Sequence, residues 1–487
     1  LVRSSVAVPP SQRGRWRAAF LLVLALPVSG CGVKDFFFGG PKSTVGQPGY
    51  VAGFLGGVAA DEPQAALVAR QILSSGGSAA DAAVAVAFAL SVTLPSRAGL
   101  GSGGACLAYN PDRDAIGKGM PEAITFMPQG SAITPAGADR PAAVPMLARG
   151  MYALYTRYGR LPFESLTVPA EQMARFGTPV SRALATDLAV VAGPLLADPD
   201  AKAVFGPGGK ILQEGGRLVQ PDLGATLTQL RTGGVGDLYQ GALARRLVDA
   251  SAAAGGPLTL DMLRAALPKI FAPLSVRDGS DTVAFLPPPA DGGLAAAAAF
   301  RYLQSNRQDA AGAQARAIAV VSRWRQGGGE PMASPGAMVE AAAPAGSLPP
   351  LPASTSFVTL DKSGLAVACA LTMDNLFGTG RIAPGTGVLL AAAPSSVAPP
   401  LLAAAIAWNS NIHAFRAAVG GSGQNGAAVG VAVGMINALA GASPMPAAVP
   451  DPGRINAIGC PHYLPGDSAA CGWATDARGY GLAVGSN

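Results

Sequence analysis

Ser354-Thr355-Ser356-Phe357-Val358-Thr359-Leu360-Asp361-Lys362-Ser363-Gly364 is the stretch on which the reading of this chain turns. It opens on three hydroxyl residues, runs on as a strand and ends in a cluster of turn formers. A second strand, Leu365 to Met373, follows, and then the run Phe377-Gly378-Thr379-Gly380. Two strands so close in sequence form a hairpin. If Asp361-Lys362-Ser363-Gly364 is a tight turn, Asp361 faces Gly364 and Ser354 falls opposite Leu371, one place from Thr372. A one-residue bulge would then bring the Thr372 hydroxyl onto the face of Ser354.

Bulk composition limits what surrounds this hairpin. The 487 residues suffice for one large domain or two ordinary ones, and 49% hydrophobic against 13% charged residues supplies a large core. Two-thirds of the net charge of +6 comes from Arg3, Arg13, Arg15 and Arg17, with no acid in the first 30 residues. The remainder is nearly neutral and has no basic stripe interleaved with aromatics, which argues against nucleic acid as a partner.

Those first residues read as a targeting segment. Arg13 to Arg17 form a charged region, and Ala18 to Pro27 an apolar stretch too short to span a bilayer. Val28-Ser29-Gly30-Cys31 is similar to a bacterial lipobox, in which the cysteine is lipidated and becomes the mature N-terminus; an ordinary secretory signal or an uncleaved anchor are the alternatives. The expectation is a lipoprotein signal peptide over 1–30, a tether over 31–48 and a body held to a membrane by a lipid on Cys31. That body would lie on the periplasmic side. Gly32, rather than an aspartate, favours the outer membrane. In an oxidising compartment Cys460 and Cys471, in a polar stretch, are expected to form a disulfide. The rival is a zinc site using His462. Cys106 and Cys369, in apolar strand-like surroundings, are expected to be buried free thiols.

An α/β pattern occupies the body. Glu62 to Ser74 is helix-like and closes at Gly76-Gly77. Ser78 to Leu90 is a second helix, with Ser78 and Asp81 spaced as a capping box. Its face is apolar nearly all round, which points to burial within a layer. The loop Gly99 to Gly104 leads into a strand at Ala105 to Tyr109. Residues 145–270 read as mostly helical, Thr282 to Leu286 as a strand, Pro287 to Gly293 as a rigid loop and Ala313 to Trp324 as a helix. From 307 to 353 the composition shifts to Ala, Pro, Gly and Ser, as in a flexible segment.

Several blocks, in order, resemble the gamma-glutamyltranspeptidase family of N-terminal-nucleophile hydrolases. They include Gly76-Gly77-Ser78-Ala79-Ala80-Asp81, the Gly99 to Gly104 loop, Gly159-Arg160-Leu161-Pro162-Phe163, Gln220-Pro221-Asp222-Leu223 and Leu238-Tyr239-Gln240-Gly241. Pro179-Val180-Ser181, the Pro287 to Gly293 loop, Gly420-Gly421-Ser422 and Thr475-Asp476-Ala477-Arg478 complete the set. The resemblance covers roughly 50–302 and 354–487. It implies a four-layer αββα sandwich of two interleaved segments, a large-subunit-like 49–353 and a small-subunit-like 354–487. It also implies self-cleavage after Ala353, with Ser354 as nucleophile where the family has threonine. Thr355 is the alternative nucleophile if the register slips. Thr372 matches the residue that orients the nucleophile, and Gly420 and Gly421 match the glycines of the oxyanion hole.

The substrate-binding positions depart from the family. Its carboxylate-clamping arginine falls at Ile124 or a neighbour, none of them basic. Asp374 stands where an asparagine is expected and would add negative charge near an anionic ligand. Other pocket positions fall on Ala393, Ser396, Leu402 and Ala403, and a histidine position on Ser356. Three readings follow: a hydrolase or transferase of γ-glutamyl compounds, an amidase for a more apolar acyl group, or a non-catalytic, membrane-tethered binding protein. The partners implied are a small-molecule amide, the membrane, and for the third reading a protein. No cofactor and no metal is implied.

Overall fold

The computed structural model of the chain describes residues 55–130, 137–327, 335–341, 344–347, 353–441 and 449–486. The signal-like segment, the tether and Cys31 lie outside the described residues. Thirteen strands among the described residues, numbered along the chain, build two large sheets. They are β1 (Gly56–Ala60), β2 (Gly103–Tyr109), β3 (Glu122–Phe126), β4 (Lys269–Phe271), β5 (Leu274–Asp278), β6 (Asp281–Phe285) and β7 (Ser354–Asp361). Then come β8 (Ala366–Thr372), β9 (Ala403–Asn409), β10 (Ala414–Ser422), β11 (Arg454–Leu464), β12 (Gly472–Thr475) and β13 (Leu482–Ser486). The first sheet runs β13-β1-β7-β8-β2-β3-β4 and the second β12-β11-β10-β9-β6-β5. Each sheet mixes strands from before and after Ser354, so neither segment can complete a sheet alone.

Three apolar cores separate four layers. One lies between the first sheet and its helices, among them α1 (Pro63–Ser74) and α2 (Ala79–Thr93). A second lies between the other sheet and α3 (Gly292–Ser305), α4 (Ala310–Gln326) and α5 (Gly426–Leu439). The third fills the space between the sheets, with Val358, Leu360, Ala368, Ile406 and Trp408. This is the αββα sandwich. The sequence of α2 explains its place in it: every residue from Ala79 to Thr93 is buried, as an all-round apolar helix requires. Ser78 Oγ accepts from the Asp81 N–H at 3.0 Å and Asp81 Oδ2 accepts from the Ser78 N–H at 2.9 Å, closing the capping box. Asp81 also accepts from the Arg160 and Leu161 N–H groups, so the same carboxylate ties down the Gly159–Phe163 block.

The β7–β8 turn is one residue longer than the sequence suggests. The Gly364 N–H donates to Asp361 O at 3.0 Å and the Asp361 N–H to Leu365 O at 3.0 Å, leaving a three-residue loop. Gly364 takes a φ of 86°, the left-handed position that closes such loops with an extra residue. A Cβ there would also meet Leu464 O at 2.5 Å. The extra residue shifts the register by one and pairs Ser354 directly with Thr372, so no bulge is needed. The turn docks on α2: Asp361 Oδ2 accepts from the Ala79 N–H at 3.1 Å, a carboxylate at a helix N-terminus.

Cys106 and Cys369 are not free thiols. They face each other on β2 and β8 with Cα atoms 4.1 Å apart and are joined by a disulfide. The apolar pattern predicted their burial but carried no sign that the two strands are neighbours. Cys460 and Cys471 form the other disulfide. Both sulfurs are used, which removes the zinc reading. His462 Nδ1 lies instead 2.9 Å from Asp467 Oδ2 at the surface.

Candidate active site

Alternation along β7 sends Thr355, Phe357 and Thr359 toward the helices and Ser354, Ser356 and Val358 toward the second sheet. Thr372 shares the face of Ser354 as its cross-strand partner. The Ser354 Oγ is buried and has no hydrogen-bond partner among the described residues. The Thr372 Oγ1 accepts from the Asp374 N–H at 2.8 Å and lies 2.9 Å from Ala353 O. With one lone pair taken by that N–H, its single proton goes to the Ala353 carbonyl. The carbonyl so polarised is the one that precedes Ser354.

A clamp that the sequence does not announce fixes the strand behind Ser354. Asp61, just beyond β1, accepts from the Thr355 hydroxyl and the Ser356 N–H, each at 3.0 Å, through Oδ2. Asn456 on β11 donates to Asp61 Oδ1 at 2.8 Å and to the Ser356 carbonyl and hydroxyl at 3.0 and 2.9 Å. Asp61 and Asn456 lie 295 and 100 positions from Ser356 along the chain, so no local pattern could single them out. Thr355, which points at Asp61 and away from Thr372, is placed as a strut and not as the second candidate nucleophile.

Ala353 and Ser354 open on a cleft of about 240 Å³ that is also lined by Asp61, Arg97, Gln424, Arg454 and Tyr480. The arginines come already paired: Arg97 holds Asp187 through two bonds of 2.8 and 2.7 Å, and Arg454 holds Asp451 at 2.7 Å. Burial works against the Arg97 charge, but Asp187 and Asp61 outweigh it and raise its pKa further.

Gly420 and Gly421 are not free to serve as an oxyanion hole. Both lie inside β10, with β9 on one side and β11 on the other, so their backbone groups belong to the ladders. Their lack of a side chain serves packing. A Cβ on Gly420 would lie 3.1 Å from the Ser356 Cβ, and one on Gly421 would lie 2.5 Å from Ala427 O on α5. The cleft wall beside Ser354 is the turn Gly423-Gln424, with φ of 91° and 58°, which leads into the N-terminus of α5.

Asp374 sits where a negative charge is disfavoured. It is 1% exposed, with a φ of 62°, and neither carboxyl oxygen is hydrogen-bonded among the described residues. Burial without a partner pushes its pKa well above the usual carboxylate range, so the uncharged acid is favoured. It lies two residues from Thr372 but does not line the Ser354 cleft. Ile124 packs with Cys106 in the helix-side core, away from the face of Ser354. Ala393, Leu402 and Ala403 are buried apolar residues, and the Ser396 hydroxyl turns back to Ala393 O at 2.8 Å.

A sandwich of this layering, with a hydroxyl at the start of an inner strand, defines the N-terminal-nucleophile hydrolase class. A solved likeness is cephalosporin acylase from Bacillus halodurans, with a TM-score of 0.72 over 89% of this chain and 96% of that one, at 19% identity. The gamma-glutamyltranspeptidase family model matches residues 65–326, more than half of the sequence, and the chain belongs to that family. It is 30% identical over 257 residues to glutathione hydrolase 3 of Arabidopsis thaliana. It is 35% identical over 221 residues to the acylase ACY 1 proenzyme of Pseudomonas sp. (strain SE83). These matches cover 51% and 42% of this chain, but only 40% of each relative's own length.

Proposed function

We propose that this chain is a self-cleaving amidohydrolase that uses Ser354 first on its own backbone and then on an external amide. The observation that carries this reading is the Thr372 hydroxyl, aimed at Ala353 O at 2.9 Å beside a Ser354 hydroxyl that nothing else engages among the described residues. In the first step the Ser354 Oγ adds to the Ala353 carbonyl carbon and the Ala353–Ser354 C–N bond breaks. That shift frees the Ser354 α-amine, and water then hydrolyses the resulting ester, releasing the Ala353 carboxylate and restoring the Ser354 hydroxyl. The α-amine then takes the proton of its own hydroxyl as the oxygen attacks a substrate amide and returns it to the departing amine, and water hydrolyses the acyl-Ser354 ester to release the acid and restore the hydroxyl. In this reading the backbone N–H groups of the Gly423-Gln424 turn, which lines the cleft beside Ser354, receive the oxyanion.

The acyl group is a γ-glutamyl or related one, in keeping with relatives named as a glutathione hydrolase and an acylase. Ile124, Leu402 and Ala403 are buried in the cores and do not line the Ser354 cleft, so they offer no partner for a glutamyl α-carboxylate. The test is incubation of purified protein, a reducing denaturing gel and N-terminal sequencing of the smaller fragment. A fragment beginning at Ser354 is expected, and the cleaved protein should release amine from γ-glutamyl or simpler acyl anilides. A chain that stays intact favours the non-catalytic, membrane-tethered reading. Lipidation of Cys31, which would carry the body on the periplasmic side of a membrane, belongs to the same proposal; globomycin or Cys31→Ala should leave the precursor unprocessed.

A further inference from the structure

We propose that the Cys106–Cys369 disulfide is a staple between the two fragments that cleavage at Ala353–Ser354 creates, so that the mature protein is a covalently linked pair of chains. The inference rests on the cleavage reading above and adds the linkage to it. Cys106 lies on β2, before the scissile bond, and Cys369 on β8, after it, a sequence separation of 263 residues. In the antiparallel ladder the two are direct partners. Both side chains are 0% exposed, in the core beneath α2. Cys460 and Cys471 both follow Ser354, so their bond joins nothing across the cut. Among the described residues the Cys106–Cys369 bond alone spans it.

The chemistry of the two events is independent. Forming the staple removes two protons and two electrons from the thiols, which pass to a disulfide oxidant that becomes a dithiol. Cleavage breaks a C–N bond and consumes water, and leaves the sulfurs untouched. The functional consequence follows from how the site is assembled. Asp61 and Arg97 belong to the first fragment, and Ser354, Thr372 and Asn456 to the second, so a pair that separates loses the site. Cys369 lies three residues before Thr372 on the same strand. The staple therefore holds the strand of Thr372 in register against β2.

The experiment is a denaturing gel of N-ethylmaleimide-treated protein with and without dithiothreitol, alongside a tryptic map of the unreduced sample. Two fragments with reductant and one full-mass species without it are expected. The map should contain Ala98–Arg113 linked to Ser363–Arg381. Cys369→Ser should release the fragments without reductant, whereas Cys460→Ser should not. Two separate fragments in both lanes would overturn the staple while leaving cleavage standing. A single band in both lanes would overturn the cleavage reading, and with it a staple between fragments. Alkylated Cys106 and Cys369 in separate peptides would show that the bond itself does not form. The peptide map needs no variant, so misfolding of Cys369→Ser leaves the question decidable.

Discussion

Two neighbouring regions of this molecule are built on opposite principles. At the start of β7 nearly every polar group has a defined partner. The Thr372 hydroxyl engages the Ala353 carbonyl, and Asp61 and Asn456 hold Thr355 and Ser356. Just past the end of β8, and at the positions where the family resemblance locates substrate contacts, the groups are apolar, or polar and unpartnered among the described residues, as at Ile124, Leu402, Ala403 and Asp374. On the proposed function, the groups that would attack an amide and the positions that would choose one are therefore separable on this fold.

That contrast is most exposed to test at Ser354. Ser354→Ala removes the buried hydroxyl of the cleft, unengaged among the described residues, and the chain should remain full length on a reducing gel. Any amidase rate should fall by a factor on the order of 10⁵ to 10⁶. Retained cleavage would move the nucleophile elsewhere. Thr372→Val keeps the shape but takes the proton from the Ala353 carbonyl. Self-cleavage should slow by roughly 10²- to 10³-fold, read as band conversion over time. A rate within a factor of about two of the parent, where loss of an oxyanion-type donor normally costs far more, would leave the 2.9 Å contact without a catalytic meaning.

Asp61→Asn tests the clamp. It replaces a carboxyl group that accepts three hydrogen bonds by an amide with one acceptor oxygen, and cleavage should slow about tenfold with some loss of Tm. Full rate would reduce Asp61 to packing.

The smallest expected effect concerns the apolar region. Unfolded, Asp374 titrates near its ordinary value of about 3.9. Folded, it titrates higher because burial disfavours its charge. Its contribution to stability is therefore complete below about pH 4 and is lost as pH rises toward the folded value. Asp374→Asn removes that loss, so its Tm should exceed the parent's by about 2–4 °C at pH 8 and match it near pH 4. A lower Tm at pH 8 would mean that the carboxylate is charged and partnered there.

The helices and the hairpin could be read from local chemistry. Ser78 and Asp81 at capping spacing marked the start of α2, and its unbroken apolar surface marked a buried layer. The expected helix over 313–324 is the inner part of α4, which extends from Ala310 to Gln326. The turn at Asp361–Gly364 was visible too, but its loop length was not. That length depends on Gly364 adopting a left-handed φ against the Leu464 carbonyl, which belongs to a strand far along the chain. One residue of difference decided whether Thr372 faced Ser354 directly or only through a bulge. The glycines at 420 and 421 show the opposite failure. A glycine pair is an ambiguous signal, since it can present amides to a ligand or let two layers approach. Only the ladders on both sides of β10 show that it does the second here.

The family was thus legible in the order of its blocks, the αββα layering as what that resemblance implies, and the hydroxyl at the head of β7 in the strand pattern itself. What surrounds that hydroxyl was settled only when the layers came together. The Asp61–Asn456 clamp, the Cys106–Cys369 bond and the buried Asp374 carboxyl, unpartnered among the described residues, depend on which distant strands become neighbours and on which groups they cut off from water. None of these is written in a local run of residues.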